Sequence, residues 1–307
     1  MGLVVFGSVN VDVTAYAARL PAPGQTLHGD SYAIALGGKG ANQAVALARL
    51  GAPVELVGRT GRDAFGALAR ERLAGFGVGT AHLAEDAEEP TGIALIGVAR
   101  DGQNAITVVG GANMAVTDAD AGRAGAVLDK AAALLIQLEV PLPAALAAAR
   151  RVRARGGLVI LDPAPAPDAA FDGDVWAAID CVTPNESETE ALVGIRPLDP
   201  ASALRAAAAL TARGAGSAVV KMGAAGACWR TAGGEGHVPA PKVVAIDTVA
   251  AGDCFNAGLA LALSDGRAMG EAVRFACACG ALATTRRGAS DAAPSRAEVE
   301  ALLRAGW

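Results

Sequence analysis

The chain has 307 residues and a formal net charge of −5, with 52% hydrophobic and 19% charged residues. The hydrophobic fraction is ample for one large core, so residues 1–307 are predicted to form a single domain. An acidic chain has no long-range attraction for nucleic acid or anionic lipid, and no stretch has the roughly 18 uncharged apolar residues of a membrane span, so neither is an expected partner.

Short apolar runs alternate with longer Ala/Leu-rich stretches along the chain. The short runs are typical of buried parallel strands, and they cover Leu3–Phe6, Val54–Val57, Leu134–Leu138, Leu158–Leu161 and Ala218–Lys221. The longer stretches have helical patterns, and they cover Asn42–Leu50, Ala64–Ala74, Leu142–Arg155 and Ala201–Arg213. Three of these helices are followed by possible C-terminal capping glycines, Gly51, Gly156 and Gly214. This alternation predicts an α/β fold with a central, mostly parallel sheet flanked by helices.

Two regions, 11–36 and 91–109, interrupt this alternation. The first has Pro21, Pro23 and Gly24 between alternating apolar stretches. The second has two strand-like runs on either side of Asp101–Gly102, a dipeptide that is a strong hairpin signal. We predict that both regions contribute to a small second β-sheet that acts as a lid over a cleft. Two surface excursions are the alternative.

The first polar pair follows the first strand. Asn10 and Asp12 alternate with Val9, Val11 and Val13, so in an extended chain the two polar side chains share a face. A carboxylate beside a carboxamide suits a polyol, because vicinal hydroxyls need both hydrogen-bond acceptors and donors. An edge strand with a solvated face explains the pattern equally well.

A glycine-rich segment, 37–43, leads into the first long helix. Its glycines would let the backbone approach a ligand closely, and Lys39 and Asn42 would share a helix face. The segment is not a Walker A loop, because Gly40 and Ala33 stand where that motif needs a hydroxyl residue and a glycine. A glycine-rich helix entry with no further role is the alternative.

A second segment of small residues, 247–258, leads into a helix that is predicted to run to about Ser264. A helix N-terminus presents free N–H groups and the positive end of the helix dipole, so the amides of Ala251, Gly252 and Asp253 could bind an anion. An Asp at such a position is usually an N-cap. With a hydroxyl substrate beside it, the same carboxylate could accept the proton of that hydroxyl.

Two further segments carry weaker signals. Asn185 and Glu188 follow Pro184 at a helix start and fit a capping box. Alternatively, Glu188 positions magnesium through water, since Mg²⁺ prefers carboxylates and keeps several waters. The segment 221–227 is a glycine-containing loop directly after a strand, and it could border a nucleotide or be a plain turn.

Together these segments resemble the ribokinase branch of the PfkB carbohydrate kinase family. The two most specific matches are 37–44 and 247–253, and the segments 7–12, 137–139 and 183–186 follow the family's order. The resemblance covers essentially the whole chain. It implies an ATP-dependent sugar kinase with a central sheet between helices and a small β lid, and a homodimer formed through that lid.

The resemblance also implies roles for individual residues. Asp253 would be the catalytic base, with Gly252 and Ala251 beside it. The sugar would be held by Asn10, Asp12, Gly38, Lys39, Asn42 and Glu139, together with Asp253. ATP would lie near Asn185, Lys221, Gly223, Gly226, Gly252 and Cys277. An activating potassium ion would be bound by Asp247, Val249, Ala283, Arg286 and Gly288, and magnesium would accompany ATP near Glu188.

Two positions depart from the family's pattern. Cys277 stands where a His is expected near the adenine, and Ala292 stands where a Ser is expected among the potassium ligands. Ser290 or a backbone carbonyl could replace that Ser. These differences bear on nucleotide affinity and on potassium binding, not on the type of reaction.

The predicted reaction is transfer of the γ-phosphoryl group of ATP to O5 of D-ribose. A nucleoside, fructose or deoxyribose kinase of the same family is the nearest alternative. A non-catalytic sugar-binding regulator is disfavoured because Asp253 and Gly252 are both present. A nucleotide-binding oxidoreductase is disfavoured because no Gly-x-Gly-x-x-Gly follows the first strand.

The cysteine pattern and the N-terminus bear on location. The five cysteines are an odd number without a Cys-x-x-Cys pair, which argues against a disulfide framework and favours a reducing compartment. The three histidines are far apart in sequence, so a His-based zinc site is not expected. No basic region precedes a long apolar stretch at the N-terminus, so no signal peptide is expected. A cytoplasmic location is predicted.

Overall fold

The computed structural model describes residues 2–167 and 171–307. Within this part of the chain the strands are β1 (Leu3–Phe6), β2 (Asn10–Ala17), β3 (Ser31–Gly37), β4 (Val54–Gly61), β5 (Leu83–Asp86), β6 (Gly92–Ala99), β7 (Asn104–Val109), β8 (Ala133–Ile136), β9 (Leu158–Leu161), β10 (Cys181–Val182), β11 (Ser217–Lys221), β12 (Ala227–Thr231) and β13 (Gly234–Val238). The helices are α1 (Lys39–Arg49), α2 (Ala64–Gly75), α3 (Asp118–Arg123), α4 (Gly125–Leu128), α5 (Leu142–Arg153), α6 (Gly173–Ala177), α7 (Glu186–Val193), α8 (Pro200–Ala212), α9 (Ala251–Ser264), α10 (Met269–Ala283) and α11 (Arg296–Ala305). Short 3-10 helices cover Gly111–Ala115, Gly223–Ala225 and Ser290–Ala292.

Nine strands form the central sheet, in the order β13-β12-β11-β10-β9-β8-β1-β4-β5. The strands from β11 to β5 pair in parallel, and β12 and β13 add an antiparallel edge. Alternate residues of β1 pack into opposite cores: Leu3 and Val5 face one helix layer, and Val4 and Phe6 face the other. Burial on both faces explains why the parallel strands are continuous apolar runs. The predicted fold class is confirmed.

A second sheet of four strands has the order β3-β2-β6-β7. Strand β2 pairs in parallel with β6, and the other two pairs are antiparallel. Regions 11–36 and 91–109, which interrupted the strand–helix alternation, supply these strands. Because β2 begins only four residues after β1 ends, the second sheet starts beside the central sheet.

The predicted helix ends agree with the structure at three glycines, since Gly51, Gly156 and Gly214 all have positive φ after α1, α5 and α8. The start of α1 differs from the prediction, because the helix begins at Lys39 and not at Asn42. Within the described residues, no helix combines the length and the apolar character needed to cross a membrane.

Polar residues directly follow several parallel strands. They are Ser8 after β1, Gln137 and Glu139 after β8, Asp162 after β9, and Lys221 at the end of β11. In open α/β sheets, the crevice outside the carboxyl ends of the strands is where ligands bind. A ligand-binding site is therefore expected at this edge of the sheet, which the N-termini of α1 and α9 also approach.

Candidate active site

The early start of α1 is explained by contacts from distant parts of the chain. The hydroxyl of Ser8 accepts from the amide of Gly40 (3.2 Å) and donates to Glu139 Oε2 (2.6 Å). The same carboxylate oxygen accepts from the amide of Lys39 at 2.9 Å. These acceptors satisfy N–H groups at the helix start that no local side chain caps. Gly38 has φ +87°, and a Cβ there would lie 2.8 Å from the amide nitrogen of Asn10, so only glycine fits.

Lys39 lies close to four carboxylates of the cleft. Burial alone would lower the pKa of its ammonium group, but the carboxylates of Asp253, Asp162, Glu139 and Glu188 raise that pKa well above its usual range. Lys221 pairs with Asp162 at 2.9 Å, whereas Lys39 makes no ion pair within the described residues. Its cation is therefore available to a ligand.

Asp253 is buried at the start of α9, with 6% of its surface exposed. It is not the N-cap, because Ala250 holds that position with φ +58°, a left-handed conformation that is strained for alanine. The Asp253 carboxylate accepts from Asn42 Nδ2 (3.1 Å) and from Gln43 Nε2 (3.2 Å). Burial raises its pKa to about 6, with Lys39 acting in the opposite direction. A half-buried cation and two amide donors thus surround a carboxylate that remains ionised at neutral pH.

The backbone at the start of α9 offers free donors. The amides of Gly252 and Asp253 have no acceptor within the described residues. The amide of Ala251 donates to the carbonyl of Thr248 over a long 3.3 Å. Of the three amides predicted to bind an anion, two are therefore free and the third is weakly engaged. A Cβ on Gly252 would lie 3.7 Å from Lys221 Nζ, so the ammonium group and these amides border the same space.

Asn10 and Asp12 lie at the root of the second sheet. Asn10 is buried, and its Oδ1 accepts from Asn113 Nδ2 at 2.7 Å. Asn113 was not predicted from the sequence as a site residue. Its side chain also accepts from the amide of Val9 (2.8 Å) and donates to the carbonyl of Val9 (3.0 Å). The pKa of Asp12 is raised to about 6 by burial and by the charge of Glu139. Gly37 leaves room for this carboxylate, since a Cβ there would lie 2.1 Å from Asp12 Oδ1.

A cavity of about 620 Å³ adjoins the N-terminus of α9. Five of the six residues predicted to contact ATP line it: Lys221, Gly223, Gly226, Gly252 and Cys277. The other lining residues are mostly apolar, among them Ala240, Pro241, Val243, Phe255 and Ala281. A largely apolar cleft with a few polar groups at one end suits a nucleotide base with its phosphates.

Asn185, the sixth predicted ATP contact, does not line this cavity. Its side chain accepts from the amide of Glu188 at 2.9 Å and donates to Glu188 Oε1 at 2.8 Å, so the two residues form the capping box of α7. The amide of Asn185 donates to Glu188 Oε2 at 2.8 Å. Burial raises the pKa of Glu188. Each carboxylate oxygen can still accept a further hydrogen bond, which fits a metal-bound water better than direct ligation.

Ala283 ends α10, and the other four residues predicted to bind potassium lie on two loops that Asp247 joins. Its carboxylate accepts from the amides of Val249 and Gly288, both at 3.0 Å. The carbonyls of Val249, Arg286 and Gly288 accept no hydrogen bond within the described residues, whereas that of Ala283 accepts from the amide of Arg286 at 3.4 Å. Free carbonyls and a carboxylate are the oxygen donors that such a cation needs.

The side chains around these loops contribute in other ways. The guanidinium group of Arg286 pairs with Glu298, and because it is a cation without an acceptor, only the Arg286 carbonyl could bind potassium. Ala292 is buried and has no side-chain oxygen. The hydroxyl oxygen of Ser290 keeps its lone pairs for a cation, because it takes part as the donor in a hydrogen bond to Asn42 Oδ1 at 2.7 Å. That bond connects the loop to Asn42, and Asn42 holds Asp253.

Comparison with known proteins identifies the family. The profile of the pfkB family carbohydrate kinases matches residues 2–296. This chain belongs to the pfkB family. It is 38% identical over 296 residues to the ribokinase of Haemophilus influenzae, covering 96% of each chain. It is 37% identical over 256 residues to the deoxyribokinase of Salmonella typhi, covering 83% of each chain.

A solved structure supports the same assignment. The structure of Arabidopsis thaliana ribokinase complexed with ribose and ATP superposes on this pfkB kinase with a TM-score of 0.91 at 34% identity, covering 99% of this chain and 98% of that one. The chain is therefore an ATP-dependent carbohydrate kinase. Because the chain is about equally identical to a ribokinase and to a deoxyribokinase, overall identity does not distinguish the two sugars. The residues of the site must be used instead.

Several residues of the pfkB kinase site escaped sequence reasoning. They are Ser8, Gln43, Asn113, Gln137 and Asp162, and each hydrogen-bonds a predicted site residue or a neighbour of one. Gln43 and Gln137 lie inside matched segments, which was the available signal. Asp162 lies in a Pro/Ala-rich turn, and Asn113 lies in a short 3-10 helix, where no local pattern marks them.

The five thiols are all buried and unpaired. Burial raises the pKa of Cys277 to about 12 and the pKa of Cys254 well above its usual range. A thiolate at the start of α9 is therefore not formed at neutral pH, and Cys254 is a small packing residue there. Cys277 contributes an apolar wall to the nucleotide-sized cavity.

We expect kinase activity to fall on the acid side of neutrality. Asp253 and Asp12 both have a pKa of about 6, raised by burial, so both are ionised above that pH and protonated below it. If the ionised forms are needed, kcat/KM for the sugar drops about tenfold per pH unit below 6 for one group and more steeply for two. The measurement is kcat/KM from about pH 5 to pH 8 at constant ionic strength. A flat profile down to pH 5 would contradict the assignment.

Proposed function

We propose that this pfkB kinase transfers the γ-phosphoryl group of ATP to O5 of D-ribose, with Asp253 as the catalytic base. The observation that carries the proposal is the position of the Asp253 carboxylate. It accepts a hydrogen bond from Asn42 of α1, lies close enough to Lys39 for that cation to lower its pKa, and stands at the start of α9, where two backbone amides are free within the described residues. A base must lie within hydrogen-bond reach of the acceptor hydroxyl, and that hydroxyl must lie beside the phosphoryl group that it attacks.

The proposed reaction depends on positioning and electrostatics. Asp253 takes the proton from O5 as the hydroxyl attacks the γ-phosphorus of ATP, and ADP leaves as the bond from that phosphorus to the β,γ-bridging oxygen breaks. The amides of Gly252 and Asp253 stabilise negative charge on the transferring group. Lys221, which borders the same space, offsets charge on the phosphates of ATP. Asn10, Asp12 and Lys39, with the amide of Asn42, orient the sugar.

Two metal ions belong to the proposal. Magnesium bound with ATP would neutralise phosphate charge, and the carboxylate of Glu188 would accept a hydrogen bond from one of its waters. Potassium would be held by the free carbonyls of Val249, Arg286 and Gly288 beside the carboxylate of Asp247. Its role would be to order the loop that precedes α9, because that loop runs from Asp247 directly into the helix turn that carries Asp253. The five unpaired thiols support a reducing, cytoplasmic setting.

A deoxyribokinase is the second candidate, favoured by the 37% identity to the Salmonella typhi enzyme. The two activities differ in the acceptor's 2-hydroxyl. Asp12 favours ribose, since a half-buried carboxylate without a hydroxyl to accept from would lose its hydrogen bond on binding deoxyribose.

One assay tests the sugar and potassium together. ADP release is measured with D-ribose, 2-deoxyribose, fructose and a nucleoside panel, each with Mg²⁺ and with either KCl or tetramethylammonium chloride at equal ionic strength. We expect turnover with ribose that rises in KCl. Turnover with another acceptor alone would overturn the ribose assignment, and equal rates in the two salts would overturn the potassium site.

We also propose that the second sheet acts as a lid and joins two copies of the chain. Asp12 pairs with Ala94 and Ala94 with Val108, so Val108 and Ile106 lie on the same sheet face as Asp12. Both side chains are 56% exposed, which is unusual for apolar residues on a sheet. A second copy covering this face would bury them and also shield the sugar site from water.

The dimer predicts the behaviour of two variants. Ile106→Glu places a charge in the centre of the proposed interface, so we expect the dimer to dissociate to monomers. Gln103→Glu, in the exposed turn between β6 and β7, adds the same charge outside the interface and should leave the mass unchanged. Light scattering after size-exclusion chromatography gives the mass directly. A monomeric parent protein at micromolar concentration would refute the dimer.

A further inference from the structure

A continuous run of hydrogen bonds crosses the floor of the cleft. Lys221 Nζ donates to Asp162 Oδ1 at 2.9 Å. The side-chain amide of Gln43 then donates both to Asp162 Oδ2 (3.1 Å) and to Asp253 Oδ1 (3.2 Å). Asn42 holds the other oxygen of Asp253 at 3.1 Å. Gln43 is thus the residue that joins two buried carboxylates, one of them the proposed base.

The orientation of the Gln43 side-chain amide is fixed by a second glutamine, Gln137. Gln137 Nε2 donates to Gln43 Oε1 at 2.6 Å, so the NH₂ group of Gln43 must face the two carboxylates. Both glutamines are fully buried, and water cannot reach in to replace a lost donor. No sequence motif assigns either residue a role in the chemistry.

We propose that Gln43 is a positioning residue for Asp253. The side-chain amide of Gln43 orients the Asp253 carboxylate toward the cleft and keeps it ionised beside Asp162. The inference rests on the proposed function, in which Asp253 is the base. Two neighbouring carboxylates disfavour each other's ionised forms, and a shared donor between them relieves that repulsion. Without the donor, Asp253 would face the charge of Asp162 with only Asn42 to hold it.

Other charged groups also face Asp253 and set the background for this effect. Lys39 on α1 favours its ionised form, whereas Asp162 after β9 and Glu139 after β8 disfavour it. Lys221 is bound on the far side of Asp162. Among these groups, Asp162 is the one that shares a hydrogen-bond donor with Asp253 in the described residues. The test must therefore separate Gln43 from Asp162.

The first variant is Gln43→Met, which keeps the side-chain length and removes the donor. We expect the pKa of Asp253 to rise by about one unit from its value of about 6, because a hydrogen bond to the ionised form is lost. The loss of kcat should then grow as the pH falls, from little at pH 8 to about fivefold at pH 6 beyond any constant loss. The KM for the sugar should change little. An equal loss at every pH would indicate a merely structural role and overturn the inference.

A second readout does not require activity. Carboxyl ¹³C NMR of aspartate-labelled protein gives the pKa of Asp253 without substrate, and Asp253→Asn identifies the resonance. If the parent protein failed to phosphorylate ribose, the proposed function would fail while this arm still tested Gln43. The matched control is Thr60→Val, another buried polar-to-apolar change, whose hydroxyl has no partner in the described residues. It should alter neither kcat nor the pKa of Asp253.

Gln137→Met keeps the inference falsifiable if Gln43→Met folds poorly, and a double variant tests the part played by Asp162. Gln137→Met frees the orientation of Gln43 without touching a carboxylate, and it should raise the pKa of Asp253 in the same direction by less. On an Asp162→Asn background, the shift caused by Gln43→Met should shrink, because the opposing charge is gone. An unchanged pKa of Asp253 in Gln137→Met would overturn the bridging role of Gln43. So would a pKa shift of undiminished size when Gln43→Met is made on the Asp162→Asn background.

Discussion

Replacing Asp253 by Asn is expected to lower kcat by about 10²-fold or more, since an amide cannot accept the proton of the sugar hydroxyl. The substitution preserves size, and the free amides of α9 remain in place to bind phosphate. The KM for ATP should therefore stay close to that of the parent enzyme. Steady-state kinetics at about pH 8 measures both constants, with the acceptor saturating and Mg²⁺ in excess of ATP.

Loss of folding must be separated from loss of the base. The raised pKa means that folded Asp253 binds a proton more tightly than unfolded Asp253, so its ionised form costs stability above pH 6, and this cost fades as the pH falls through 6. Asp253→Asn should thus be no less stable than the parent at pH 8. Asp118→Asn, an exposed carboxylate on α3, is the matched control and should keep full activity. Normal turnover in Asp253→Asn would show that another group is the base.

Replacing Asp12 by Ala is expected to lower kcat/KM for ribose by about 10- to 100-fold, the cost of losing a hydrogen bond to a charged group. The effect on 2-deoxyribose should be much smaller if the carboxylate accepts from the 2-hydroxyl. The two sugars should then become nearly equivalent acceptors. The measurement is the ratio of kcat/KM for ribose to kcat/KM for 2-deoxyribose in parent and variant.

The control for this change lies on the same strand. Thr14→Ala removes a polar side chain two residues further along β2, on the same face of the sheet as Asp12. It should leave the ribose-to-deoxyribose ratio unchanged. If Asp12→Ala weakened both sugars equally, Asp12 would contact a hydroxyl that the two share, and the basis for preferring ribose would be lost.

The sequence predicted best what local patterns determine. Continuous apolar runs identified the parallel strands, because strands covered on both faces need apolar side chains throughout. Small residues before Asp253 indicated a helix start with free amides, and two such amides have no acceptor in the part of the chain that the structure describes. The pair Asn185 and Glu188 shows where residue spacing alone is ambiguous. Both of its interpretations used the same spacing, and only the structure revealed the capping box.

Residues whose roles depend on distant partners could not be predicted. Gln43 meets Asp253 across 210 residues of chain, and Asn113 meets Val9 across 104. The start of α1 was placed too late for the same reason, since its amides are satisfied by Ser8 and Glu139 and not by a local cap. Spacing along one chain carries no information about which loops converge once the sheet has formed.

The burial of all five thiols has a practical consequence for following motion in solution. Protonated, inaccessible sulfur atoms react slowly with maleimides, so no native cysteine has to be removed before labelling. Tyr32 on β3 is 75% exposed, and a cysteine introduced there would take up a fluorescent dye selectively. Its emission with and without sugar and nucleotide would test whether the second sheet moves when they bind, in a protein that is otherwise unchanged.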